Sequence, residues 1–271
     1  MKKTLLLCLC GFALKAQAQH SLEKLWETKP VVAVPESVLD DGKGTLYITL
    51  IDGAPWDMDG KGGVAKLRPD GSGYDSAFIT GLHSPKGMGI YGNRLYVADV
   101  QDVAVIDLKK GVIEKKIAWD GAKGLNDLTI DANGVVYVSD SHTGIVWRIV
   151  NDKPTSYLEG FKGLNGLKAV AQDLIIAAGK SFVKADKEKK ISNIAELPQG
   201  GDGIEPVGKG DYLVTSWSGY IFYVHANGKV ETLLNTSAEK INAADIGYDP
   251  KKKIVYVPTF NAKTVAAYRL K

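Results

Sequence analysis

Thiol chemistry is almost absent from this sequence. Its only two cysteines, Cys8 and Cys10, stand near the N-terminus in a stretch with a character of its own. Lys2-Lys3 form a basic start. Leu5 to Leu14 form an apolar run too short to span a bilayer, and Ala16-Gln17-Ala18 fits a small-x-small cleavage pattern. Residues 1–18 are therefore expected to be a secretory signal, with a periplasmic or secreted location for the single domain of residues 19–271. Leucine precedes both cysteines, which argues against a lipoprotein signal. Beyond residue 18 there is no thiol for a disulfide, a zinc–thiolate site or a cysteine nucleophile. Basic excess is missing as well. Lys and Arg number 34 against 31 Asp and Glu, and Lys2, Lys3 and Lys15 of the signal supply the whole difference. A neutral remainder speaks against nucleic acid or an anionic membrane as partner. No later segment is apolar enough to cross a membrane, and helical periodicity is lacking throughout. Nor is there a Gly-rich phosphate loop, a nucleophile elbow or a Ser-His-Asp order.

What the chain does have is internal repetition. Asn126 opens "NDLTIDANGVVYVSDSHTGIVWRIV", Asn165 opens "NGLKAVAQDLIIAAGKSFVKAD" and Asp202 opens "DGIEPVGKGDYLVTSWSGYIFYVH". Equivalent stretches begin at Glu36, Lys86 and Ala244, so the spacings are 50, 40, 39, 37 and 42 residues. Tyr47, Tyr96, Tyr137, Ile175, Leu213 and Tyr256 occupy one aligned position, 10 to 12 residues after each start. The tyrosines read as packing between repeats. Each repeat holds four short strands between Gly, Asn, Asp or Lys turns; in the third they fall at Leu128–Ile130, Val135–Ser139, Ile145–Val150 and Thr155–Leu158. Six such units predict an all-β fold, a six-bladed β-propeller with four antiparallel strands per blade. The last repeat ends after its third strand, and an unassigned strand, Val31 to Val34, precedes the first. Closure of the ring by that N-terminal strand accounts for both loose ends better than a linear solenoid.

In a propeller the first strand of each blade lies nearest the axis. Glu36, Lys86, Asn126, Asn165, Asp202 and Ala244 are then expected around one mouth of the channel. This offers a reason for the polar pair Asn126-Asp127 at the start of an apolar strand. Asn and Asp also favour loop-to-strand junctions for backbone reasons. Glu36, after Pro35, has no such role. Two carboxylates and amide oxygens, without sulfur or histidine, make a hard oxygen site that suits Ca2+, Mg2+ or Mn2+. Burying Glu36 and Asp202 together is costly and tends to keep one of them protonated, unless a divalent ion or Lys86 compensates the charge.

At these residues the sequence resembles the senescence marker protein/regucalcin/gluconolactonase family. The motifs are "PESV" with Glu36, "LNDL" with Asn126, "LNGL" with Asn165 and "GDGI" with Asp202. The resemblance implies one divalent cation on the axis, Ca2+ first, with Mg2+, Mn2+ or Zn2+ as alternatives. Glu36, Asn165 and Asp202 would be its ligands, Asp202 the catalytic group, and Asn126 a contact to substrate or water. The arginine that many members carry two residues before the N-D motif is Gly124 here, with Lys123 beside it. The insert "DGAPWDMDGKGG", residues 52 to 63, is expected to reach over the mouth and bring Trp56 to the substrate. His142, Trp217 and Lys86 complete the expected substrate-binding set. The function so implied is hydrolysis of a sugar-acid lactone or similar cyclic ester by a secreted, metal-dependent, monomeric enzyme acting on a small molecule. A propeller that binds a ligand or protein at the same mouth without turnover is the alternative. A calcium site that only braces the ring is a third reading.

Overall fold

The computed structural model describes residues 20–271; the expected signal, residues 1–18, lies outside them. Six four-stranded antiparallel sheets are the blades of one propeller. Their innermost strands are Pro35–Asp40, Pro85–Tyr91, Leu125–Ile130, Leu164–Val170, Ile204–Gly208 and Gly247–Asp249, in blades 1 to 6. The only helical element among the described residues is a 3-10 turn, Phe260–Ala262. Blade 3 holds Leu125–Ile130, Val136–Asp140, Ile145–Val150 and Lys153–Leu158, within a few residues of the sequence expectation.

The ring closes as expected in kind but with a different strand. Leu22–Glu27 pairs antiparallel with Val265–Leu270 and forms the outer edge of blade 6. Val31 to Val34, expected in that role, is a turn. Its Val34 has φ 49, a left-handed conformation that a β-branched residue enters only under constraint. Hydrogen bonds from Ile51 N to Val34 O (3.1 Å) and Asp52 N to Ala33 O (3.2 Å) hold it there. The turn delivers the chain from the rim to the axis at Glu36. The true closing strand, "LEKLWE", shows little alternation because its register shifts between Lys24 and Trp26.

The core is not one mass but a set of layers between neighbouring blades. Each residue of the aligned second-strand series sits in a different layer. Tyr47 packs with Val97 and Ala104 of blade 2, Tyr96 against Val136 and Val138 of blade 3, and Tyr137 against Leu164 and Leu174 of blade 4. Ile175 meets Val214 and Phe222, Leu213 meets Val255 and Val257, and Tyr256 meets Val38 and Ile48, which returns the sequence to blade 1. Burying a large side chain at every joint contributes about 1.5–3 kcal/mol each time, so the repeat position is an interface position.

Candidate functional site

The innermost strands break register at the same place. Pairing with the second strand slips between Pro35 and Val38, Pro85 and Met88, Leu125 and Leu128, and Leu164 and Leu167. The two residues inside each slip are bulged toward the axis: Glu36-Ser37, Lys86-Gly87, Asn126-Asp127 and Asn165-Gly166. Bulges re-aim side chains that a flat ladder would send to the sheet faces. The first residue of each pair faces the mouth. The second lies a tier deeper, which separates Asn126 from Asp127. Asp127 Oδ1 accepts from Leu128 N (2.6 Å), and its Oδ2 accepts from Leu167 N of blade 4 (2.5 Å). Asp245 of blade 6 accepts from Ser37 Oγ of blade 1 (2.5 Å). These two aspartates tie neighbouring blades together beside the axis.

In blade 5 Asp202 and Gly203 likewise share one partner, Thr215, and hydroxyls of the second strand support the bulges of blades 1, 3 and 5. Thr49 Oγ1 accepts from Ser37 N (2.9 Å), Ser139 Oγ from Asp127 N (2.9 Å) and Thr215 Oγ1 from Gly203 N (2.8 Å). Thr215 Oγ1 also donates to Ala244 O of blade 6 (2.8 Å). Gly166 is required for a different reason. A Cβ there would lie 1.8 Å from Asp202 O, so a side chain would push blade 5 away.

Glu36, Lys86, Asn126, Asn165 and Asp202 line one cavity of about 250 Å³, with Pro55, Trp56, Trp217 and Phe260. A wider cleft of about 470 Å³ opens over blades 3 to 5 and shares Asn126, Asn165, Asp202 and Trp217 with it. Glu36, Lys86, Asn126 and Asp202 are all buried. Ala244, at the sixth position, brings no polar atom; Phe260 fills that sector and packs edge-on against Trp217 at 5.6 Å. Asn126 Nδ2 donates to Ser141 Oγ (3.0 Å), which donates to Leu164 O (2.6 Å). This leaves the Asn126 carbonyl oxygen for the site.

The 52–63 insert forms one wall of the cavity. Ser84 Oγ donates to Ala54 O (3.0 Å) and to Asp57 O (2.8 Å), pinning it. Lys86 Nζ donates to Pro55 O (2.6 Å) and lies 4.3 Å from the centre of the Trp56 ring. Lys86 thus makes no direct ion pair with Glu36 or Asp202. His142 does not line the cavity; its ring lies 4.4 Å from that of Trp56, behind the wall. A Cβ on Gly124 would fall 2.4 Å from the His142 ring. The imidazole therefore occupies the space that a long side chain at 124 would need.

The electrostatics follow from burial. Desolvation pushes the Glu36 carboxyl well above its ordinary range; Lys86 opposes this, and Asp202 and Asp245 add to it. Burial likewise raises Asp202 to about 8, with Asp245 adding and Lys86 and Asn165 opposing. The Lys86 ammonium is pushed down by burial against the pull of Glu36, Asp202 and Asp99. Glu36 Oε2 and Asn165 Oδ1 are buried without a hydrogen-bond partner. An unmade bond to such an acceptor costs about 1–3 kcal/mol. A hard divalent cation would satisfy both atoms and favour ionised Asp202, so this donor set fits such an ion.

Sequence reasoning noticed Asp127 beside Asn126 but not its structural task, and missed Asp245, the supporting hydroxyls and Phe260. The hydroxyls recur 12 residues after the bulge in blades 1, 3 and 5, a regularity visible once the repeats are aligned.

Solved structures of the same fold include a streptogramin B lyase, with TM-score 0.67 and 11% identity over 93% of this chain and 98% of that one. A catalytically inactive virginiamycin B lyase from Staphylococcus aureus with quinupristin matches at 0.66 and 13%, over 93% and 100%. A structural-genomics protein of unknown function from Bacteroides thetaiotaomicron matches at 0.72 and 12%, over 93% and 76%. No protein-family model matches the chain, and no curated protein does. The chain is a six-bladed β-propeller similar in fold to these proteins.

Proposed function

We propose that the protein is a secreted hydrolase that opens a sugar-acid lactone or similar cyclic ester at the axial mouth. The observation that carries this reading is the meeting of two partnerless buried acceptors, Glu36 Oε2 and Asn165 Oδ1, with buried Asp202 in one cavity. These three residues would hold a divalent cation, Ca2+ before Mg2+, Mn2+ or Zn2+. When bound, the ion supplies Lewis-acid polarisation of an ester carbonyl. Asp202, held ionised by such a cation, would be the carboxylate positioned to accept a proton from the attacking water. The free Asn126 oxygen orients a hydroxyl or that water. Lys86 offers the positive group nearest the mouth, suited to a carboxylate or to developing negative charge. Trp56, Trp217 and Phe260 supply apolar walls for a ring of about one sugar's size.

The test is proton release from a panel of five- and six-membered aldonolactones. Wild-type protein is assayed with each cation and compared with Asp202→Asn and Glu36→Gln. Losses of at least 100-fold in both variants are expected, and equal rates in all three would end the catalytic reading. A binding propeller without turnover is favoured by one observation, the His142 ring filling the space beside Gly124. It requires that a lactone or sugar acid bind tightly, without metal, and be recovered unchanged.

A further inference from the structure

A second group of metal-capable side chains lies at the ring closure, apart from the axis. His20 precedes the closing strand Leu22–Glu27. His225 follows the third strand of blade 5, Tyr220–Val224, and Glu231 lies on its fourth, Val230–Asn235. One ligand atom from each of the three can be chosen so that all lie within 4.8 Å of one another. His20 Nδ1 stands 3.3 Å from Glu231 Oε2, and His225 Nε2 stands 3.0 Å from Glu231 Oε1. Both imidazoles thus converge on one carboxylate, though His20 and Glu231 are 211 residues apart in sequence.

The rings are oriented before any ion arrives. His20 stacks on Tyr223 at 3.7 Å and 9° between planes, and the His225 ring lies 4.8 Å from the same tyrosine. The Tyr223 hydroxyl donates to Asp211 Oδ2 (2.7 Å), fixing that ring in turn. Ligand atoms about 2.0–2.1 Å from a tetrahedral zinc lie roughly 3.3 Å from each other; each imidazole nitrogen stands near that distance from one Glu231 oxygen, and a small inward shift would bring the three chosen atoms, now within 4.8 Å, onto one ion. The remaining neighbour is Lys229, whose Nζ donates to Glu231 Oε1 (2.7 Å). Its side chain is half exposed and free to swing into water.

We propose that His20, His225 and Glu231 form a second metal site, for Zn2+ or a similar borderline divalent ion, that clips the ring-closing segment to blade 5. Two imidazoles and a carboxylate with the fourth position open to solvent suit zinc, cobalt, nickel or copper, in contrast to the hard oxygen set on the axis. An ion bound only in the closed ring stabilises closure by mass action. The site does not depend on the function proposed for the axis.

The experiment uses the full chain in a Glu36→Gln/Asp202→Asn background, so that axial binding does not contribute. Co2+ and Zn2+ are the probes. One equivalent of Co2+ should give the intense visible absorption of four-coordinate cobalt, displaced by Zn2+. Zn2+ at 100 times its Kd should raise the thermal midpoint by about 5–10 °C. His20→Ala and His225→Ala should each weaken binding at least tenfold, while Lys229→Ala, which removes the competing cation and no ligand, should tighten it. Unchanged binding in either histidine variant, only pale six-coordinate cobalt, or weaker binding in Lys229→Ala would overturn the proposal.

Discussion

Asp202 combines full burial, a pKa near 8 and a place in the cavity wall. Its folded-state pKa lies above its ordinary 3.8, so the folded protein holds a proton there that the unfolded chain releases. The stabilisation is complete below pH 4 and is lost as pH rises to about 8. Metal-free protein should therefore weaken across that window in urea titrations, and Asp202→Asn should flatten the slope. A cation bound at the site should flatten it too, because it favours the ionised carboxylate. Asp127 makes the opposite case, a polar residue at the axis whose work is structural. Asp127→Ala strands the amides of Leu128 and Leu167, at about 1–3 kcal/mol each, and should lower unfolding free energy by about 2–6 kcal/mol. Adjacent residues 126 and 127 thus have different tasks. The motif made the first legible. The second depends on a bond to a residue 40 positions away, which local sequence does not record.

The strand carries the next level of information. Repeats were legible because interface residues recur with every blade, and Tyr47, Tyr96, Tyr137 and Tyr256 mark them in the text of the chain. Register was less legible. The bulges that turn Glu36, Lys86, Asn126 and Asn165 inward leave no composition signal, and the closing strand was hidden by a bulge of its own. Bulge support is testable at Thr215, which is fully buried. Thr215→Val keeps the shape but strands Gly203 N and Ala244 O. Unfolding free energy should fall by about 2–4 kcal/mol, and KM for a lactone should rise as Gly203, next to Asp202, loses the hydroxyl that holds its amide. The insert has a different signature. Trp56→Ala removes the ring beside Lys86 and His142, a contact worth about 0.5–2 kcal/mol, so substrate binding should weaken several-fold with little change in stability.

At the scale of the molecule, no blade is stable alone, since every apolar layer is shared between two. Deleting residues 20–27 would expose the edge of Val265–Leu270 and the layers holding Leu22, Leu25 and Trp26. We expect a lower, broader urea transition and concentration-dependent association through that edge, measurable by light scattering. The ring was foreseeable from loose ends in the repeat pattern. Which residues close it was not, because closure is a contact between opposite ends of the chain.

That contact has one more consequence. Ser21 and Lys271 exchange two backbone hydrogen bonds, N to O in each direction, at 3.3 and 3.0 Å. Residues 21 and 271 are thus already neighbours, and a short peptide linker could splice the propeller there. Fresh ends cut into the exposed hairpin tip at Lys187–Lys190 would yield a circular permutant in which blade 6 is continuous and blade 4 is the one closed by strands from both ends, Ser181–Ala185 with Ile191–Glu196. The propeller's geometry thus does not dictate which blade carries the seam.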